Sequence, residues 1–532
     1  MKKRTRWITS ILLLITFFSA ISVAMLAWVG PMVGNVFSNI VNPIDTSYLS
    51  NSSNYAQGAA TPLSYSPSMN PPNGEPFADM YFEHYGVNPF IDTDDDSLST
   101  FALDVDTGSN TIMRRYLWKG SLPDKDSVRV EEYLNAFNYD YDYPEEGTFT
   151  LHLDGGPTPF TVNDNYRVLR IGIQGYDIDP SERKPVVLTF VIDVSGSMDS
   201  EDRLGAVKMA LTALVDGLRP TDQVGIVAFS DSAWVVLPTT PVGERIEILN
   251  AIQRVYSLGS TNAEAGLRLG YQMARDAFQP TASNRIILCS DGVANTGLTS
   301  HDAIFNLIDR EARSGISLTT IGVGMGNYND VLLEQLADQS DGMYAYIDSV
   351  EEMERLFVDG LTGLLQTIAK DARIQVSFNP ETVSRYRLIG FENRAVDDDA
   401  FLDDSTDAGE IGAGHSVTAL YEVKLVDGAQ GEIARVSLRW LDPDSSTAEM
   451  MEAGIAVEDL AGSFEETSTS FQLAALVAAY AEILRESYWA QEQTLDNLVP
   501  WLAALENDPS LEGQALDFMQ VLERALRLAN QT

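Results

Sequence analysis

Three short patches of this 532-residue chain carry side chains able to hold a hard divalent cation. The first is Asp193-Val-Ser195-Gly-Ser197, the second Ser260-Thr261-Asn262 and the third Asp291-Gly292. Together Asp193, Ser195, Ser197, Thr261 and Asp291 offer carboxylate and hydroxyl oxygens only. Mg2+ takes about six such donors in near-octahedral geometry, and Mn2+ or Ca2+ suit the same chemistry. The absence of Cys and His from the set disfavours softer metals. Alternate positions in an extended loop put Asp193, Ser195 and Ser197 on one side, and Gly196 permits a tight turn between the serines. A set this poor in charge is expected to leave one coordination position open. An acidic side chain of a partner protein is its natural occupant.

The elements around these patches say how they could meet. Residues 186–192 form an uninterrupted, β-branched apolar run, as in a strand buried on both faces. A helical stripe follows at 203–218, with Leu204, Val207, Leu211, Leu214 and Val215 on one side. Strands are then expected at 223–229, 233–237 (an edge), 285–289, 317–323 and 343–347. Helices are expected at 244–256, 263–277, 302–314, 330–337 and 350–369. This alternation predicts an α/β fold, a doubly wound and mostly parallel sheet with helices on both faces. In such a sheet the loops beyond the carboxyl ends of the strands converge on one crevice. The first patch follows strand 186–192 and the third follows strand 285–289, so neighbouring strands would bring them together.

The order Asp193-x-Ser195-x-Ser197, then Thr261, then Asp291 resembles the metal-ion-dependent adhesion site of von Willebrand factor type A domains. The resemblance implies that Ser195, Ser197 and Thr261 ligate the cation directly while the carboxylates act partly through water. It also implies a role in binding proteins rather than in catalysis. The flanks resemble a bacterial, membrane-associated subfamily of these proteins. Leu103-Asp-Val-Asp-Thr107, Arg129-Val-Glu-Glu-Tyr133 and Tyr139-Asp-Tyr-Asp-Tyr-Pro144 are similar to its N-terminal region. Tyr386-Arg-Leu-Ile-Gly-Phe-Glu-Asn393 and residues 407–421 are similar to its C-terminal region, so the likeness spans roughly 76–530.

The expected organisation follows. Residues 1–31 read as a transmembrane signal anchor, and 32–75, rich in Asn, Ser and Pro, as a flexible linker. Residues 76–183 read as an α+β region contributing strands to a β-sandwich, and 184–368 as the type A domain inserted into it. Residues 369–460 complete the sandwich, and 461–532 form C-terminal helices. The anchor rests on Lys2, Lys3, Arg4 and Arg6 ahead of the uncharged stretch 7–29. Such a stretch rises ~34 Å as a helix, enough to cross a hydrocarbon core about 30 Å thick. The basic cluster would stay cytoplasmic, leaving the bulk of the chain outside. A cleaved signal ending near Ser22-Val-Ala24 is the alternative. Members of the subfamily often appear as lipoproteins, but no cysteine follows this apolar run.

Composition narrows the function further. A formal net charge of −42 repels phosphate backbones, which argues against nucleic acid as a partner. The single cysteine, Cys289, lies in an apolar run and reads as a quiet core thiol. Asp92-Thr-Asp-Asp-Asp96 fails the EF-hand pattern at Ser97 and Leu103 and reads as a solvated turn. Gly414-His-Ser-Val-Thr418 departs from a nucleophile elbow at its last residue, and His84, His152, His301 and His415 show no metal-ligand spacing. No Gly-x4-Gly-Lys-Ser/Thr loop is present, so the chain carries no P-loop ATPase of its own. The reading is a non-enzymatic, membrane-anchored, extracytoplasmic adhesion or scaffolding module that takes a partner's Asp or Glu through a bound cation. The rivals are an accessory subunit of an envelope enzyme or chaperone assembly and a purely structural envelope protein. Oligomeric state is left open.

Overall fold

The structure, a computed structural model, describes residues 82–531 apart from 162–164, 292–307, 309, 312, 325–329, 341 and 512. The expected anchor, the linker and most of the helix expected at 302–314 lie outside the described residues. Among those described, no helix is long and apolar enough to cross a membrane.

Along the chain, β1 (Ile91–Asp92), β2 (Leu98–Ala102), β3 (Phe149–Gly156) and β4 (Tyr166–Gly175) come first, with helices Gly108–Lys119 and Val130–Asn135 between β2 and β3. Next come β5 (Val186–Asp193), β6 (Gln223–Phe229), β7 (Ala233–Pro241), β8 (Ser283–Ser290), β9 (Ile316–Val323) and β10 (Tyr344–Ile347). These six form one sheet in the order β10-β9-β8-β5-β6-β7. Strand β7 runs antiparallel to β6, and the other neighbours are parallel. The apolar run that suggested β5 has its reason here, since every residue of that strand is buried. Leu188, Phe190 and Ile192 face a core with helices Ala206–Gly217 and Arg245–Arg254. Val191 faces the opposite core, with helices Ala263–Asp276 and Asp330–Asp338. Ile112 and Tyr116 of the N-terminal helix Gly108–Lys119 join that second core.

Strands β11 (Thr367–Phe378), β12 (Val383–Ile389), β13 (Gly409–Gly412), β14 (Ser416–Leu425), β15 (Glu432–Leu441) and β16 (Ala448–Ala456) follow. They build two sheets, β1-β12-β14-β4-β3 and β13-β11-β15-β16, with β2 paired to β11. Strand β4 runs beside β14 from Tyr166–Lys424 to Gln174–Ser416. Strands from both sides of the α/β segment therefore share sheets, and Phe101, Ile171, Ile374, Tyr421 and Val436 are buried in one core with them. The α/β sheet is inserted into this sandwich. One boundary differs from expectation: the helix expected to run to 369 ends at Leu365, and Thr367 already pairs with Gly412. The alanine-rich stripe of helix Thr469–Leu484 is internal packing, buried with helices Leu495–Leu505 and Gln514–Ala529 and with Tyr133 and Leu134.

Candidate metal centre

Strands β5 and β8 are parallel neighbours in register, with Ile192 opposite Cys289. Their carboxyl ends therefore release the first and third patches side by side. The Ser290 hydroxyl ties them, donating to Asp193 Oδ2 at 2.8 Å. Within the first patch the Ser195 amide donates to Asp193 Oδ1 at 2.8 Å, closing the loop back on its own aspartate. The second patch is stitched on by the backbone. The Gly196 amide donates to the Gly259 carbonyl at 3.0 Å, Leu258 to Val194 at 2.6 Å, and Asn262 to Ser230 at 2.8 Å. Gly259 has a positive φ of 73°, and a Cβ there would lie 2.6 Å from Asp231 Oδ2, so this approach needs glycine. Asp231 also accepts from the Ser260 amide and hydroxyl.

All five residues named from sequence thus lie on loops held at the carboxyl end of one sheet. Asp193 and Asp291 are fully buried, Ser195 and Thr261 nearly so, and Ser197 is half-buried. Helix Ala263–Asp276 is capped by Asn262, whose side chain accepts from the Ala265 amide at 3.1 Å. Glu264 lies in the first turn of that helix and pairs with Arg268. The hydroxyl groups of Ser195 and Ser197 stand 3.0 Å apart. This is the length of a direct hydrogen bond between them, and it is also about the separation of two adjacent oxygen ligands of an octahedral Mg2+, each ~2.1 Å from the ion. The electrostatics fit as well. Burial first, and the neighbouring Asp291 carboxylate second, push the Asp193 carboxyl up to about 6, against the pull of its Ser195 and Ser290 donors. Among the described residues no group of three or more His, Cys, Asp and Glu is placed to hold a metal.

Sequence reasoning missed Ser290, Asp231 and Arg203, whose guanidinium donates to Asp291 Oδ2 at 2.9 Å. Ser290 was legible in principle as the neighbour of Asp291 at a strand end, whereas the other two depend on loop geometry. The residues set aside from sequence stay outside the site. In Asp92–Asp96 the aspartates are exposed, Thr93 is buried and donates to the Val383 carbonyl, and the Asp95 and Asp96 amides donate to the Asp92 carbonyl. Burial pushes the Cys289 thiol up to about 12 and, with Arg355 and Arg285 nearby, holds His415 down at about 4.

Comparison with known proteins divides the chain in the same way. Residues 188–358 match the von Willebrand factor type A domain, 76–170 a model described as von Willebrand factor, and 363–433 and 427–528 the C-terminal region of uncharacterized protein YfbK. YfbK of Escherichia coli K12 is 33% identical over 473 residues, covering 84% of this chain and 80% of that protein. The chain belongs to the YfbK-like family of von Willebrand factor type A domain proteins. Another relative, sll0103 of Synechocystis, is 28% identical over 313 residues, 56% of this chain and 70% of its own. Among solved structures, a von Willebrand factor type A protein from Catenulispora acidiphila is 17% identical, with 74% of this chain and 88% of that one covered and a TM-score of 0.40. The flanking motifs at 103–144 fall inside the segment matched by the von Willebrand factor model and those at 386–421 inside the YfbK C-terminal match, on the helices and sandwich strands that surround the α/β sheet.

Proposed function

We propose that this YfbK-like protein is a membrane-anchored, extracytoplasmic binding module that captures a partner protein's Asp or Glu through a divalent cation. The type A domain supports a protein-interaction or adhesion role. The finer reading rests on one observation above all: buried Ser195 and half-buried Ser197 present hydroxyls 3.0 Å apart beside two buried carboxylates. Asp193, Ser195, Ser197, Thr261 and Asp291 would hold Mg2+, or Mn2+ or Ca2+, and the cation would supply an electrophilic position for the incoming carboxylate. Tyr256 is 70% exposed and Leu258 37% exposed, on the loop that carries the second patch. They would give a partner apolar contact around a central charged one. The role is binding without catalysis. The buried Cys289 thiol, pushed up to about 12, stays protonated at neutral pH, and the buried His415, held at about 4, stays neutral and weakly basic.

The test is a pull-down from detergent extract with the full chain as bait, in Mg2+ and then in chelator, beside Asp193→Ala. Partners retained in Mg2+, released by chelator and absent from the variant support the reading. Partners indifferent to both contradict it.

A further inference from the structure

Arg203 places a fixed positive charge against the two buried carboxylates. It lies in Glu201–Gly205, a turn wound more widely than the α-helix it leads into, a feature that often marks functional sites. Its Nη1 donates to Asp291 Oδ2 at 2.9 Å and to the Ser197 carbonyl at 2.6 Å, so it bridges the first and third patches. The seat is built for it. Gly324, at a positive φ of 79° directly after β9, leaves room where a Cβ would lie 2.4 Å from Arg203 Nε. From outside, Arg115 of the N-terminal helix pairs with the adjacent Asp202 and donates to the Asp348 carbonyl at 3.2 Å. Arg203 is therefore held by the fold, with only 14% of its side chain exposed.

Charge arithmetic shows what this does. Counted over Asp193, Asp291 and Arg203 alone, the charges sum to −1, and a divalent cation brings that sum to +1. With a neutral residue at 203 the loaded site would carry no net charge. The hydroxyl ligands are neutral and do not alter this balance. We propose that Arg203 sets the charge of the loaded site, weakening its hold on the cation while strengthening its attraction for an anionic ligand such as a partner carboxylate. The inference rests on the reading of Asp193, Ser195, Ser197, Thr261 and Asp291 as a cation site. It gives Arg203 a specificity role that the five-residue pattern does not contain. Favouring the anion at the cation's expense makes capture depend on the two arriving together, since each raises the affinity of the other by the same factor.

The experiment uses the detergent-solubilised full chain, with Mn2+ as the metal probe, free Mn2+ counted by electron paramagnetic resonance, and acetate as the anion probe against chloride at equal ionic strength. Arg203→Gln is expected to bind Mn2+ ~10-fold more tightly or better, the effect of removing one unit charge a few ångströms from a divalent ion even under water-like screening. Arg203→Met, which keeps the aliphatic stem over Gly324, gives a second charge-free variant should the first fail to fold. Arg203→Lys should stay near wild type. Acetate should tighten Mn2+ binding in the wild type and in Arg203→Lys, and less so in the charge-free variants. Equal or weaker Mn2+ binding by the charge-free variants would overturn the proposal and make Arg203 a brace for Asp291. An equal acetate effect in all of them would also overturn it. Asp193→Ala separates the two levels. Wild-type Mn2+ binding that persists in Asp193→Ala refutes the cation site itself, whereas binding lost there but unchanged by Arg203→Gln refutes only the role of Arg203.

Discussion

Substituting Glu482 by Gln should cost this protein stability at neutral pH and progressively less as the solution is acidified. Glu482 lies on the buried face of helix Thr469–Leu484, in its last turn, and is 5% exposed. It accepts from Arg485 Nε at 2.8 Å, from Arg387 Nη1 at 3.1 Å and from the Ser487 hydroxyl at 2.8 Å. Arg387 reaches across from β12 and also holds Glu422 of β14, while Arg485 also holds Glu392. The cluster thus ties the C-terminal helices to the sandwich. Burial alone would raise the Glu482 carboxyl, yet Arg485, Arg387 and the Ser487 hydroxyl together hold it at about 2 against an ordinary 4.5. A carboxyl lowered on folding contributes stability that is present above the unfolded value and is lost as pH falls through the folded one. The contribution is on the order of 3 kcal/mol at pH 7 and roughly half of that at pH 3. Urea denaturation of wild type and Glu482→Gln, followed by tryptophan fluorescence, to which Trp489 beside Arg387 contributes, measures the difference. The gap should shrink by about 2 kcal/mol between pH 7 and pH 3. Acid-sensitive groups outside this cluster act on both proteins and cancel to first order in the comparison. A gap that stays constant or widens on acidification would refute the reasoning.

Three further outcomes can be checked on the same protein. Gly270→Ala should destabilise by about 1 kcal/mol despite its gain in helix propensity, because the new Cβ would meet Val191 Cγ2 at 2.4 Å, and a raised melting temperature would contradict this. A fragment spanning 184–368 should melt cooperatively, since all six strands of its sheet lie inside it, whereas 371–460 should not, having lost β4 beside β14 and β2 beside β11. Protease added to intact spheroplasts should digest the chain beyond residue 31, and full protection would contradict the proposed extracytoplasmic placement.

The α/β sheet was legible because its strands are two-faced. Runs such as 186–192 and 223–229 are apolar without alternation, and turn residues bound them. The site was legible for a related reason: two polar patches at strand ends converge once β5 and β8 are neighbours, and a third lies at the N-terminus of the next helix. Other features lacked such signals. Strand β16 (Ala448–Ala456) is an exposed edge with the polar sequence Ala-Glu-Met-Met-Glu, and β13 is only Gly-Glu-Ile-Gly. Neither shows a period that separates it from loop. The break at Gln366 is hidden because Leu361 to Ala369 reads equally well as helix, and only pairing with β13 makes Thr367 and Ala369 strand. Arg203 reads as the polar side of an amphipathic helix, and its turn toward Asp291 depends on Gly324, more than a hundred residues away. Buried ion pairs such as Arg387–Glu482 join residues whose partnership no local pattern reveals.

The central claim, that five residues at the end of this sheet bind a divalent cation, is tested most directly by its effect on stability. A cation that binds only the native protein raises its melting temperature by mass action, by about 2.7 kcal/mol of stabilisation at a hundredfold excess over Kd. With a net charge of −42, ions also act nonspecifically, so wild type and Asp193→Ala must be compared at fixed ionic strength. The account predicts a Mg2+-induced rise in melting temperature for the wild type that is absent or much reduced in Asp193→Ala. Equal shifts in both proteins would contradict it.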